Sequence, residues 1–244
     1  MRTVFTSVDQ LDPDARVAMR ELLGRHFLGV DEQVFAADLA GKTHVLRLFG
    51  DDGRLAGFST VDYQRCVIDD GPAAVLYSGD TIVDPSAWAA TSLGAAWVAA
   101  VFALHHGESD GTTSIPLWWL LLTSGVRTHR YLSAFFRRYH PAPPGSHDPL
   151  AERLLPVLAA GRFGRGFCAQ SGVVRLPRPQ RLRTHLDAIP PHIADDPQTR
   201  LFLAANPGHA EGDELVSLCR LEEGNITPVG LRVLARGRQT VEAG

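Results

Sequence analysis

Apolar and polar positions alternate from Val4 to Val8, a two-residue period that predicts a strand. Asp12-Pro13-Asp14 follows as a helix start, with a capping carboxylate, proline in the first turn and a second acid beside the dipole. From there Val17, Leu22, Leu23 and Phe27 recur at helical spacing and predict a buried stripe. Asp31 opens a second helix over 32–40, which Gly41 ends. Three strands are predicted next, over 43–49, 55–68 and 73–83. The turns between them are Asp51-Asp-Gly53 and Asp69-Asp-Gly71, whose Asp-Gly pairs favour hairpins. A long apolar helix follows, from Ala87 to about His105. Pro116 to Thr123 is almost wholly apolar, as suits a strand buried on both faces. Arg127 to Tyr139 reads as a helix with Tyr131, Leu132, Phe135 and Phe136 inward, stopped by the prolines at 141, 143 and 144.

Beyond residue 140 the pattern loosens. Helices are predicted over 149–160, 197–205 and 227–235, and strands over 173–176 and 214–221. A proline- and arginine-rich run occupies 177–191. Residues 1–140 thus read as a core. Residues 141–244 read as an α-rich insertion and C-terminal extension that returns one strand, 214–221, to the sheet. The fold class is α+β (α/β), a mixed and mainly antiparallel sheet flanked by helices.

Composition adds little until it is divided along the chain. The 244 residues are 45% hydrophobic and 21% charged, an ordinary globular balance, and the net charge is -3. Residues 1–125 hold 8 Lys+Arg against 16 Asp+Glu, whereas residues 126–183 hold 11 Arg against Asp148 and Glu152 alone. Such a basic stretch suits a polyanion such as a phosphorylated cofactor, a carrier protein or RNA, the last two docking across Arg127 to Arg183. The competing reading pairs these arginines with the acidic N-terminal half. Lys42 is the chain's one lysine, which reads as a mark of a GC-rich genome. Cys66, Cys168 and Cys219 are odd in number and widely spaced, which suggests neither a disulfide framework nor a zinc site. The first residues lack a signal peptide's apolar core, and no run spans a membrane. Together these features predict a reduced, cytoplasmic protein with no membrane partner.

The order of elements resembles the GNAT superfamily of N-acyltransferases, over roughly residues 1–140 and the strand near residue 216. Asp80-Thr-Ile-Val-Asp-Pro85 is similar to that family's strand four and its V-x-P turn. Ser124 to Tyr139 is similar to strand five leading into the fourth helix. The resemblance implies an acyl-CoA co-substrate, no metal, and a small-molecule amine as acceptor. In the family the donor's pantetheine arm pairs with strand four, which splays from strand five. Its pyrophosphate rests on the next helix's N-terminus, over a Q/R-x-x-G-x-G/A loop, where free N–H groups favour an anion.

On this chain the resemblance puts the donor against Ile82 and Val83, with Ser86, Thr91 and Ser92 donating hydroxyls to phosphate. It makes Asp80 the base that accepts the amine's proton, and Tyr131 or Tyr139 the acid for the leaving thiolate. Phe136 stands nearest the family's tyrosine position. The loop departs from the pattern, because Trp88 leads it and both glycines are missing. That departure keeps two rivals open. One is a donor carried on an acyl-carrier protein or aminoacyl-tRNA. The other is a non-catalytic ligand-binding module that lost CoA binding. Asp80 has its own structural reading, as a residue at a bulge or paired with an arginine. His105-His106 with Glu108 and Asp110 looks like a metal cluster, but adjacent helical histidines diverge by about 100°. Cys66 and Cys168 show no activating partner in sequence.

Overall fold

The computed structural model describes residues 1–87, 92–108, 115–183, 189–237 and 241–243, with the side chains of 92, 236–237 and 241–243 left aside. The chain divides into two compact units: Met1–His26 with Val30–Leu117 and Pro228–Gly244, and Phe27–Gly29 with Trp118–Thr227. The division therefore falls at 117 and 227, whereas the sequence pattern put its boundary at 140.

The first unit carries strands β1 (Arg2–Ser7), β2 (His44–Phe49), β3 (Leu55–Ile68) and β4 (Gly71–Val83). It also holds helices α1 (Pro13–His26), α2 (Glu32–Ala40) and α3 (Ser92–Gly107). β1, β2, β3 and β4 lie side by side and antiparallel. Aspartates set the helix starts: Asp12 Oδ1, before Pro13, accepts from the Ala15 N–H at 2.6 Å, and Asp31 caps α2 through Gln33 and Val34. The β3–β4 hairpin turns on Asp69 and Asp70, at φ 49° and 62°, while Gly71 is already paired with Ile68. The tight turn is thus Asp-Asp rather than Asp-Gly, in the left-handed conformation that aspartate tolerates better than most residues. α1 and α3 pack on this sheet around Leu22, Leu23, Phe58, Leu76 and Ala96, each at most 1% exposed.

Val241–Ala243 forms β9, parallel to β1, a strand the sequence pattern did not show, and the helix predicted over 227–235 is α8 (Pro228–Gly237), which packs on α3. Ala87, the predicted start of the long apolar helix, closes a 3-10 turn instead. That turn, Pro85–Ala87, follows β4, and the described helix begins at Ser92.

The second unit contains β5 (Leu117–Thr123), β6 (Phe167–Cys168), β7 (Val173–Val174) and β8 (Glu214–Arg220), in the order β5-β8-β7-β6 and antiparallel throughout. The late strand returns to a sheet as predicted, pairing Leu218 with Leu120. Around this sheet lie α4 (Val126–Phe135), α5 (Pro149–Phe163), α6 (Pro191–Ala194) and α7 (Pro197–Ala205). Val126, Val173, Ile193, Phe202 and Leu215 form its core. α4 stops at Phe135, so Tyr139 is not helical, a correction to the predicted 127–139 span.

The protein is therefore α+β, with mainly antiparallel sheet flanked by helices. Among the described residues no helix is long and apolar enough to cross a membrane.

Candidate functional site

β4 is not regular. Ser59 faces Thr81 and Val61 faces Ser78, so Gly79 and Asp80 together stand opposite Thr60. This is a β-bulge, a device that re-aims backbone groups and recurs beside active sites. Asp80 is half-buried at the bulge, the structural placement considered for it from the sequence. Beyond it, Thr81 Oγ1 meets Ser59 Oγ at 2.8 Å. Ile82 is buried opposite Phe58, and Val83 is half-buried opposite Gly57.

At the end of β4 the chain caps itself. Asp84 Oδ1 accepts from the Ser86 hydroxyl at 2.7 Å and from the Ser86 N–H at 3.1 Å. Asp84 Oδ2 lies 3.4 Å from Nε2 of His26, the last residue of α1. The Ser86 hydroxyl, chiefly, holds the Asp84 carboxyl below its usual range; the Ser86 N–H and His26 reinforce this against the opposing effect of burial. Ser86 is thus exposed but already engaged by a carboxylate, in the place reserved for a phosphate by the sequence reading. His26 and Asp84 are 58 residues apart, and no local pattern joins them. Thr91 and Trp88 lie outside the described residues, as does the Ser92 side chain.

A second polar group is buried beneath the bulge. Lys42 follows the Gly41 cap of α2, and its side chain is 0% exposed. Its ammonium ion-pairs with Asp38, donates to the Asp38 carbonyl at 3.1 Å and lies 5.3 Å from the centre of the Tyr77 ring. A β-carbon added to Gly79 would meet Lys42 Cε at 2.6 Å, Thr60 Oγ1 at 2.9 Å and Lys42 Nζ at 3.0 Å. Gly79 is therefore the residue that lets the lysine stem reach the bulge. The composition signal was visible, since this is the chain's one lysine, but it pointed to a genome rather than a site.

Behind this, Tyr63 and His105 tie α3 to β3. The Tyr63 hydroxyl lies 2.9 Å from His105 Nδ1, and Nε2 donates to the Ile115 carbonyl at 3.1 Å. Burial lowers the His105 pKa and raises that of Tyr63. His105 serves packing here. Among the described residues no group of three or more His, Cys, Asp or Glu could hold a metal ion.

The structure corrects the two tyrosines. Tyr131 is not inward: it is 40% exposed and stacks on Phe135, with ring centres 5.4 Å apart. Tyr139 is 1% exposed in the core of the second unit, where its hydroxyl donates to Gln198 Oε1 at 2.8 Å. Gln198 Nε2 in turn donates to His129 Nε2 at 2.7 Å. Burial pushes the Tyr139 pKa up to about 12 and drops that of His129 to about 4. His129 is fully buried.

The arginines of the second unit are partly committed. Arg130 meets Asp196 at 3.4 Å and Arg175 meets Asp213 at 2.9 Å, both acids of the same unit. Arg138 donates to the His147 carbonyl. Arg153, Arg162, Arg165, Arg175, Arg178 and Arg181 are exposed. Cys168 has the partner its sequence hid: the Ser171 hydroxyl, with the Ser171 and Gln170 N–H groups, lowers its thiol pKa.

The fold and the bulged strand define a mixed α+β protein of the kind the GNAT resemblance implied. No family model matches the chain, and no curated protein matches it. Many of the solved structures similar to it are GNAT-family N-acetyltransferases. A protein of Enterococcus faecalis V583 described as "Probable N-Acyltransferase" is 8% identical at a TM-score of 0.41, with 57% of this chain and 33% of that chain covered. The Escherichia coli GNAT-family N-acetyltransferase YhbS, solved with CoA, is 15% identical at 0.38, covering 56% and 70%. Arabidopsis thaliana NAA60, solved with a bisubstrate analogue, is 12% identical at 0.37, covering 59% and 93%. The chain thus spans about a third of the Enterococcus protein. Likenesses this partial transfer no activity to it.

Proposed function

We propose that this protein is an acyltransferase that moves an acyl group from a thioester donor, acyl-CoA, to an amine of a small-molecule acceptor. The observation that carries the reading is the Gly79–Asp80 bulge in a strand that runs into a turn and a long apolar helix. The order of elements before it, strand, two helices and an antiparallel meander, supports the same reading. The donor's arm would lie along Ile82 and Val83, and Ser86, Thr91 and Ser92 would meet its phosphates. Asp80 would take the proton from the attacking amine, and backbone N–H groups would polarise the thioester carbonyl. Neither Tyr131 nor Tyr139 suits the acid's role in this arrangement, one being exposed on α4 and the other sealed in a hydrogen-bonded core.

The test is thermal unfolding with acetyl-CoA, longer acyl-CoA and desulfo-CoA. A ligand at about 100 times its Kd stabilises by about 2.7 kcal/mol. For a chain of this length that raises Tm by roughly 5–10 °C. No shift with any of the three contradicts the reading.

One observation favours a second donor. Asp84 already uses the Ser86 N–H and hydroxyl that a CoA pyrophosphate would need. An acyl or aminoacyl group delivered on a carrier protein or charged RNA would not need them, and the exposed arginines between Arg153 and Arg181 would be its docking face. That version predicts steeply salt-dependent binding of the partner, and salt-independent binding counts against it.

A further inference from the structure

We infer that Lys42 is a positioning residue, whose buried ammonium acts through the Gly79 backbone to stabilise the donor's thioester carbonyl at the β4 bulge. The inference rests on the acyl-donor reading and adds a residue to it.

Four observations converge on this role. Lys42 is the chain's one lysine, and its side chain is wholly buried, a placement that is unfavourable for a charge unless something compensates. A β-carbon on Gly79, the first bulge residue, would meet the lysine Cε at 2.6 Å and its nitrogen at 3.0 Å, so the lysine end fills the space a strand side chain would take. Its counter-ion is placed asymmetrically. The Asp38 side chain is 41% exposed and that of Lys42 0%, so the carboxylate end of the pair reaches solvent while the ammonium end is buried toward the bulge. The Tyr77 ring and the Thr60 hydroxyl complete the wall on that side, and Thr60 is 1% exposed. A pair built only to fasten α2 to the sheet does not require its cation to displace the side chain of a strand residue. A fixed charge behind a bulge is the kind of preorganised field that favours developing negative charge on a carbonyl oxygen.

The experiment compares acetyl-CoA with S-ethyl-CoA, a thioether that lacks the carbonyl, by calorimetric titration of the full chain. The wild type is expected to bind acetyl-CoA about tenfold more tightly, the scale of one charge-assisted hydrogen bond. Lys42→Met should abolish that preference while leaving S-ethyl-CoA affinity unchanged. Asp38→Asn, which keeps the ammonium and removes its counter-ion, should keep or raise the preference. It also decides the matter should Lys42→Met fail to fold. Equal weakening of both ligands in Lys42→Met, or loss of the preference in Asp38→Asn, would mean a purely structural ion pair and overturn the inference. So would a wild type that binds both ligands equally. A wild type that binds neither overturns the acyl-donor reading itself, an outcome distinct from the others.

Discussion

Replacing Tyr139 with phenylalanine separates a packing role from a chemical one. The ring is 1% exposed, and its hydroxyl donates to Gln198 Oε1 at 2.8 Å. Gln198 is 2% exposed and spends its amide N–H on His129 Nε2 at 2.7 Å. Phenylalanine keeps the ring and removes the donor, so no large cavity opens but a buried carbonyl oxygen loses its partner. Orphaning a buried acceptor costs about 1–3 kcal/mol. With a urea m-value of roughly 2 kcal/mol/M, the unfolding midpoint should fall by about 0.5–1.5 M. Intrinsic fluorescence is a suitable probe, because Trp119 packs edge-on against Phe136 at 5.8 Å, close by in the chain. Acyl transfer by the folded variant should be unchanged. A thiolate acid would behave in the opposite way, losing about a hundredfold or more in rate with little change in stability. An unchanged urea midpoint for Tyr139→Phe would refute the reasoning.

The same network makes a pH prediction. His129 has a pKa of about 4 in the folded chain, against 6.5 for the unperturbed group, because burial disfavours its charged form. The depressed value means that stability is fully present above pH 6.5 and is lost as pH falls toward 4. From pH 7 to 4.5 the wild type should lose about 2–3 kcal/mol more than His129→Asn, measured by urea titration; parallel curves would contradict it. Iodoacetamide should modify Cys168 before Cys66 and Cys219, since Ser171 lowers the first thiol's pKa while burial raises the other two. Peptide mass spectrometry reads this, and preferential labelling of Cys66 or Cys219 would count against it. Asp84→Asn removes the charge that holds Ser86, and CoA affinity should rise by up to about tenfold, the scale of one screened charge at short range. Unchanged or weaker binding by calorimetry would refute the idea that this carboxylate stands where a phosphate would.

The fold was legible where local signals agreed. Asp31 before 32–40 and Asp196-Pro197 before 197–205 mark helix starts whose caps the structure realises. The alternating and apolar runs at 55–68 and 214–220 became strands because pleat and burial pattern coincide there. Signals that depend on distant partners were silent. Val241–Ala243 is a strand only because β1 offers an edge, and its residues lie in an unremarkable tail. The helical pattern overran α4 at its end, since a helical period does not reveal where the backbone turns. At the candidate site, Asp80 was found because an acid in an apolar strand stands out. Lys42 stood out equally in composition, but its burial depends on Gly79, 37 positions along the chain. The His26–Asp84 pair left no trace in sequence, because it joins the end of one helix to the end of a strand folded against it later in the chain.

The most direct measurement is amide hydrogen exchange, followed peptide by peptide with and without saturating acetyl-CoA. Exchange should slow at residues 79–83 and 86–87, with no change at 2–7 or 44–49. Acetyl-CoA that binds yet leaves 79–87 exchanging as in the free protein would contradict a donor resting along β4.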